Sequence, residues 1–222
     1  MEANNFEKRV LLAFKLGKTN FLEPLINDGL IYMNSVKHFR DLAKFGQGDP
    51  FEGAKVIING KPMEFRNDID KEKVFCMWHI NNFTEPQGKG VTIDYYSDTM
   101  CEISIDTREY VDDFTDGCMN DLSVVVFYNM KEFHRRLKLA LRRNNLQHYD
   151  MGVMNYYNVN EKPCMVVDNY MKPDNLIHQN EIRYYVYDKN SDPLRLTLGD
   201  LNDIAKISKV GLFKVQLPYS LI

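Results

Sequence analysis

Short segments in which apolar and polar residues alternate recur along this chain of 222 residues. Such alternation has a period of two, so it predicts β-strands that bury one face. Segment 181–187 shows it most clearly, and its apolar face carries Ile182, Tyr184 and Val186. The polar face carries Glu181 and Arg183, and Gln179 precedes them in the same alternation. We expect the apolar face to pack against a core and the polar face to meet either water or a ligand.

Strand-type segments are numerous, whereas helical segments are few and do not alternate regularly with strands. Strands are predicted at 10–16, 30–33, 54–58, 73–79, 90–96, 101–105, 123–128, 164–168, 181–187 and 210–217. Helices are predicted at 20–29, 34–44 and 130–146, with a further helix or turn near 198–205. The first helix has the spacing of a capping box at Asn20 and Glu23 and a natural terminator at Gly29. This order predicts an α+β fold with a mixed or antiparallel sheet and about three flanking helices.

The composition predicts one domain spanning residues 1–222. Hydrophobic residues at 44% and charged residues at 27% are near the averages of globular proteins, and no repeat divides the chain. The net charge of −3 gives no global attraction to nucleic acid or membrane. The four cysteines and the histidines lack the spacing of metal ligands, and no apolar run approaches a membrane span. We therefore expect a cytoplasmic protein that contains no metal and does not contact a membrane.

Three segments carry side chains that could do chemistry. The glycine-rich segment 45–54 must form a loop and could approach a ligand, although it matches no phosphate-binding motif and could equally be a structural turn. In segment 76–79, Cys76 and His79 point to opposite faces, which indicates a buried strand rather than a nucleophile pair. Helix 130–146 has an apolar stripe of Phe133, Leu137, Ala140 and Leu141. Its outer surface, with Arg135, Arg136, Lys138, Arg142 and Arg143, could hold a nucleic-acid backbone or simply face solvent.

The pair Gln179 and Glu181 has a separate chemical interpretation. On a strand the two side chains would share one face, roughly 6.6 Å apart. A carboxylate in a cleft can hold a sugar hydroxyl and stabilise the positive charge that develops when a bond to an anomeric carbon breaks. A neighbouring amide can orient the acceptor of the sugar. The alternative is a solvated strand face, because so short a motif occurs often by chance.

Taken together and in order, these segments resemble a large bacterial domain family. That family has a D-P-x-E-G loop, a central strand with Cys and Trp, and a late E-x-E-x-R strand. The matching segments here are LLAFKL at 11–16, GLIYMN at 29–34, FR at 39–40, GDPFEG at 48–53 and QNEIR at 179–183. The same layout is similar to the ADP-ribosyltransferase fold, including its DNA-modifying toxin branch.

The resemblance implies that NAD is the substrate, that Glu181 holds the ribose hydroxyl as the catalytic residue, and that Gln179 orients the acceptor. It implies a cofactor pocket with Phe14, Lys15, Tyr32, Asn34, Arg40 and Arg183. Within that set, Arg40 or Arg183 would contact phosphate, because Phe14 and Lys15 stand where the fold usually has an Arg or His.

The function implied is an NAD-consuming ADP-ribosyltransferase, a toxin or phage-conflict effector that modifies protein or nucleic acid. One alternative is a non-catalytic binding protein of the same fold that contacts nucleic acid through Arg135, Arg136, Arg142 and Arg143. Another is an NAD glycohydrolase, in which water replaces the acceptor.

Overall fold

The computed structural model describes residues 10–42, 49–81, 90–95, 97, 99–113 and 121–218. The predicted helix end at Lys44 and residues 45–48 of the predicted loop lie outside these ranges. Within them the chain combines three α-helices with a larger number of strands, most of which pair antiparallel. The fold class is therefore α+β, as the sequence predicted.

The strands, numbered in chain order, are β1 (Val10–Lys18), β2 (Leu30–Ser35), β3 (Ala54–Ile58), β4 (Lys61–Phe65), β5 (Glu72–Asn81), β6 (Val91–Tyr95), β7 (Met100–Asp106), β8 (Leu122–Phe127), β9 (Tyr149–Val153), β10 (Asn155–Tyr157), β11 (Cys164–Val166), β12 (Met171–Pro173), β13 (Glu181–Tyr187), β14 (Leu194–Thr197), β15 (Ala205–Lys209) and β16 (Leu212–Pro218). The α-helices are α1 (Thr19–Asn27), α2 (Val36–Leu42) and α3 (Met130–Arg143). Two 3₁₀-helices span Thr107–Asp113 and Asp174–Gln179.

The chain divides into two compact units. Unit 1 comprises Met1–Leu30, Met77–Ala140 and Thr197–Ile222, and unit 2 comprises Ile31–Cys76 and Leu141–Leu196. Strand β5 contributes its first residues to unit 2 and its last residues to unit 1.

Unit 1 contains two antiparallel sheets. In the first, β1 pairs with the end of β5 on one side and with β8 on the other, and β15 follows β8. In the second, β7 lies between β6 and β16. A hydrophobic cluster that includes Phe14, Trp78, Ile103 and Val124 packs side chains of both sheets together. Strand β1 contributes Phe14 and Leu16 to this cluster, because residues two positions apart on a strand point to the same face.

The end of α1 requires glycine at position 29. Gly29 has φ +64°, and a Cβ there would lie 2.2 Å from the carbonyl oxygen of Gly199. The predicted terminator is therefore confirmed by backbone conformation and by close packing. The predicted capping box is wrong. The helix begins at Thr19 with Lys18 as its N-cap residue, and Asn20 already lies inside the first turn.

Unit 2 is built around a sheet in which β2 pairs with β5, β5 with β13, and β13 with β9. Beside it lie a small sheet of β11, β3 and β4 and the parallel pair β10 and β12. Strand β13 has the bounds that its alternation predicted, and Ile182, Tyr184 and Val186 are all buried. The apolar face of segment 181–187 therefore packs against a core, as expected.

Candidate functional site

A group of charged side chains is buried inside unit 2. It consists of Asp49, Glu52, Lys172, Glu181 and Arg183, and none of these residues is more than 7% exposed. We call this group the ionic cluster. Burial of charge is costly unless each group is paired and hydrogen-bonded, so the partners of these residues define what the cluster can do.

Arg183 connects the late strand β13 to the loop at 49–53. Its two terminal nitrogens bond the two carboxylate oxygens of Glu52, Nη1 to Oε1 at 2.6 Å and Nη2 to Oε2 at 3.1 Å. Its Nε donates to Oε1 of Glu181 at 2.9 Å, and Nη1 also donates to the carbonyl of Asn169 at 3.1 Å. The planar guanidinium thus uses its fork geometry to hold two carboxylates at once.

Lys172 connects Glu181 to Gln179. Its Nζ donates to Oε2 of Glu181 at 2.5 Å and to Oε1 of Gln179 at 3.0 Å. Gln179 does not lie on the strand as predicted, because it ends the 3₁₀-helix and Asn180 then takes a left-handed conformation with φ 36°. Lys172 rather than strand geometry therefore places the amide beside the carboxylate.

The polar face of β13 was expected to meet water or a ligand, and the structure shows a third arrangement. Glu181 is 5% exposed and Arg183 is 3% exposed, so both faces of the strand are buried at its start. The alternation of the sequence is consistent with this, since a buried ion pair and a solvated face have the same pattern of residue types.

Local turn chemistry places Glu52 in the cluster. The Asp49 carboxylate accepts the backbone N–H of Phe51 at 2.8 Å, and the Glu52 N–H donates to the Asp49 carbonyl at 3.0 Å. Gly53 follows with φ +78°, where an added Cβ would lie 3.0 Å from Val36. These bonds form the compact turn expected of an Asp-Pro-x-x-Gly segment and direct the Glu52 side chain inward.

The charges of the cluster set the ionisation of Glu181. Burial raises the pKa of this carboxyl, but the positive charges of Arg183 and Lys172 outweigh burial, and the pKa lies well below its ordinary value. For Lys172 burial acts in the opposite sense, lowering the pKa, and the charge of Glu181 more than compensates for it. At neutral pH the pair is therefore an ammonium facing a carboxylate.

Asp49 is the member of the cluster that titrates near neutrality. Burial, assisted by the charge of Glu52, raises the pKa of Asp49 from 3.8 to about 6. The hydrogen bond from Phe51 and the charges of Lys172 and Arg183 act in the opposite direction and do not compensate fully.

Two further side chains touch Glu181. The hydroxyl of Tyr156 accepts the backbone N–H of Glu181 at 3.0 Å, and burial raises the pKa of this phenol to about 12. The thiol of Cys76 is hydrogen-bonded to the Glu181 carboxylate, and burial together with the Glu181 charge raises the pKa of the thiol to about 12. Both groups therefore stay protonated at neutral pH.

The other residues expected in a cofactor pocket lie elsewhere. Phe14 is 1% exposed in the core of unit 1, stacked on Trp78 with ring centroids 5.6 Å apart, so a pocket wall is not its environment. Its neighbour Lys15 is half-buried in the same unit. In unit 2, Arg40 covers the Phe65 ring with its guanidinium carbon 4.7 Å from the centroid.

Tyr32 and Asn34, also expected in the pocket, lie on β2. Arg183, expected to contact phosphate, bonds the carboxylates of Glu52 and Glu181 instead. Tyr32 is 44% exposed, and the guanidinium carbon of Arg195 lies 5.6 Å from the centroid of its ring. Asn34 is opposite Val74 in the pairing of β2 with β5 and is half-buried. Of the predicted site, the structure joins Glu181 to Arg183 directly and Gln179 to Glu181 through Lys172.

The cationic helix predicted at 130–146 is α3, and its apolar stripe is buried as expected. Arg135 and Arg136 both donate to Glu132, and Arg136 also bonds Asp203. These two arginines, expected to contact nucleic acid, are therefore neutralised by carboxylates. Arg142 and Arg143 in the last turn are exposed.

Three members of the ionic cluster, Asp49, Glu52 and Lys172, were not predicted as site residues from the sequence. Lys172 lies on a strand of three residues, too short for periodicity to be measured, and a single lysine carries no motif. Asp49 was identified only as part of a loop motif, and so was Glu52. Its pairing with Arg183 spans 131 positions, which local patterns cannot show.

Metal ligands and membrane spans were also sought in the described residues. No group of three or more His, Cys, Asp or Glu side chains there could hold a metal ion. None of the helices in that part of the chain has the length and apolarity needed to cross a membrane. Comparison with protein-family models, with curated proteins and with solved structures finds no match to this chain.

Proposed function

We propose that this chain is an ADP-ribosyltransferase-like enzyme that consumes NAD, with Glu181 as its catalytic carboxylate. On the resemblance alone, we extend the proposal to a toxin or phage-conflict effector that modifies protein or nucleic acid. One observation carries it. The loop at 49–53 and the segment 179–183, two elements of the resemblance, meet through the bidentate pair of Arg183 and Glu52.

Glu181 has the charge that the chemistry needs. Its depressed pKa keeps it ionised at neutral pH, so it can accept a hydrogen bond from a ribose hydroxyl and stabilise a developing oxocarbenium charge. A carboxylate offers about four acceptor positions. Arg183, Lys172 and Cys76 use three of them. One position remains for a substrate hydroxyl.

The proposed reaction begins when the bond between nicotinamide and the ribose C1 breaks and nicotinamide leaves with the bonding electron pair. The acceptor then attacks C1, forms the new glycosidic bond and loses a proton to solvent. Gln179 presents its amide to the acceptor, because its carbonyl oxygen is already bonded to Lys172. If water takes the place of the acceptor, the same steps give free ADP-ribose, and product analysis separates this NAD glycohydrolase from a transferase.

The test is incubation of the full chain with labelled NAD, cell lysate and nucleic acid, followed by measurement of released nicotinamide and transferred label. Glu181→Gln should abolish both signals. The matched control is Glu72→Gln, since Glu72 is also a buried carboxylate of unit 2 but pairs with Arg66 at 2.8 Å. Thermal unfolding of each variant checks folding. Absence of turnover by the wild type, or equal turnover by folded Glu181→Gln, refutes the enzyme proposal.

A second candidate is a non-catalytic nucleic-acid-binding protein of the same fold. It is favoured by the pairing of Glu181 with two cations, which reduces the negative charge available to a substrate. Arg142 and Arg143 would provide the contact surface at the end of α3. Their joint replacement by glutamine should weaken binding and flatten its dependence on salt concentration. Unchanged salt dependence would exclude this surface.

A further inference from the structure

Lys172 is the residue of the ionic cluster that bonds both Gln179 and Glu181. No sequence motif indicated it. It lies on β12, which pairs in parallel with β10, and it is 7% exposed. Its ammonium contacts Gln179 at 3.0 Å and Glu181 at 2.5 Å. No polar contact to any other side chain is seen for this ammonium among the described residues.

We infer that Lys172 is a positioning residue that holds Gln179 and Glu181 as one unit. The inference rests on the proposed function, because it assigns a role to Lys172 in the chemistry of these two side chains. It adds a residue that neither the motif nor the strand pattern indicated.

The donor chemistry of lysine fixes the orientation of the Gln179 amide. An ammonium has three donors and no acceptor, so only the carbonyl oxygen of the amide can face Lys172. The amide nitrogen must then point away from the ammonium. Gln179 therefore offers N–H donors to an approaching group, and that group must carry a hydrogen-bond acceptor.

Without Lys172, little would hold the amide beside the carboxylate. Gln179 ends the 3₁₀-helix, and the left-handed Asn180 separates it from β13, so no regular strand geometry sets its direction. Glu181 in contrast begins a strand and has Arg183 as a second partner. Lys172 is thus most important for the position of Gln179. Of the two cations that bond Glu181, Arg183 also bonds Glu52, and Lys172 bonds Gln179.

The experiment compares Lys172→Met, which removes the charge with little change in length, with Lys172→Arg, which keeps a donor and a charge. Lys73→Met is the matched control, since Lys73 is a fully buried lysine of unit 2 that donates to the Asp70 carbonyl. Two properties are measured in each folded variant. One is nicotinamide release from NAD with its kcat and KM, and the other is the titration of the ¹³C-labelled Glu181 carboxyl by NMR.

Lys172→Met should lower kcat by about a hundredfold, the order expected when catalytic groups lose alignment, with a smaller effect on KM. It should also shift the Glu181 titration to higher pH, because a neighbouring cation is lost. Lys172→Arg should recover part of the rate, and Lys73→Met should behave as wild type in both measurements. Equal losses in Lys172→Met and Lys73→Met would overturn the inference.

The two proposals fail in different ways. If the wild type does not turn over NAD, the proposed function fails, and an unshifted Glu181 titration in Lys172→Met then overturns the role of Lys172 as well. If Lys172→Met does not fold, Lys172→Arg decides. A folded Lys172→Arg variant that releases nicotinamide as slowly as Glu181→Gln would overturn the inference.

Discussion

Replacement of Glu52 with glutamine removes one negative charge from the ionic cluster while keeping the size of the side chain. Arg183 would lose one of its two bonds to this side chain and the negative charge opposite it, because the amide oxygen of glutamine still accepts whereas the amide nitrogen only donates. The guanidinium would keep Glu181 and the Asn169 carbonyl as partners. It is 3% exposed, so water cannot replace the lost carboxylate.

Removal of one partner from a buried ion pair costs about 3–5 kcal/mol of unfolding free energy. For a chain of this length, that corresponds to a decrease of roughly 6–20 °C in the melting temperature. Burial decides this magnitude. The exposed pair of Lys55 and Glu64 has a similar distance of 2.8 Å, but its side chains are 54% exposed. Glu64→Gln should therefore cost less than about 1 kcal/mol.

Urea unfolding followed by circular dichroism measures both variants against wild type. The expected result is a clearly lower midpoint for Glu52→Gln at unchanged slope, and a midpoint for Glu64→Gln close to that of wild type. If the two variants differed by less than about 1 kcal/mol, Glu52 and Arg183 would not form the desolvated pair on which the ionic cluster depends.

Two further substitutions test other parts of the structure. Asp49→Asn should leave stability unchanged below pH 3.8 and raise it above about pH 6. The reason is that the pKa of Asp49 is higher in the folded state, so its stabilising protonated form is lost as pH rises through the folded value. Urea unfolding across this range measures the effect, and a wild type more stable than Asp49→Asn at high pH would contradict it. Phe14→Ala should cost about 3–5 kcal/mol because Phe14 is stacked on Trp78 in the core of unit 1. A loss below about 1 kcal/mol in the same assay would indicate that the stack contributes little.

Much of the secondary structure could be predicted from the sequence. Strands β3 and β13 have the predicted bounds, and α3 begins at the expected residue with its apolar stripe buried. These elements are long or strongly patterned, so their local periodicity is sufficient to identify them. The strands of three residues, β10, β11 and β12, gave weaker signals, and two of them were missed.

Other errors arose where tertiary contacts overrode local propensity. Strand β15 was not predicted from the sequence, although the turns expected near 198–205 are present and lead into it. Pairing with β8 stabilises β15, and that partner lies about eighty positions earlier in the chain. The capping box failed for a related reason. Thr19, which begins α1, bonds the Asp121 carbonyl and the Ser123 hydroxyl, and local spacing contains neither contact.

The sequence alone determined which residues of β13 alternate and that one face is apolar, because a period of two is a property of neighbouring positions. Only the tertiary structure decided what the polar face meets. The fold of the whole chain brings Arg183 against Glu52 and Glu181 against Lys172. The sequence gives the residue type but not whether a charged side chain is exposed to water or buried against an opposite charge. That environment is set only when distant segments pack together.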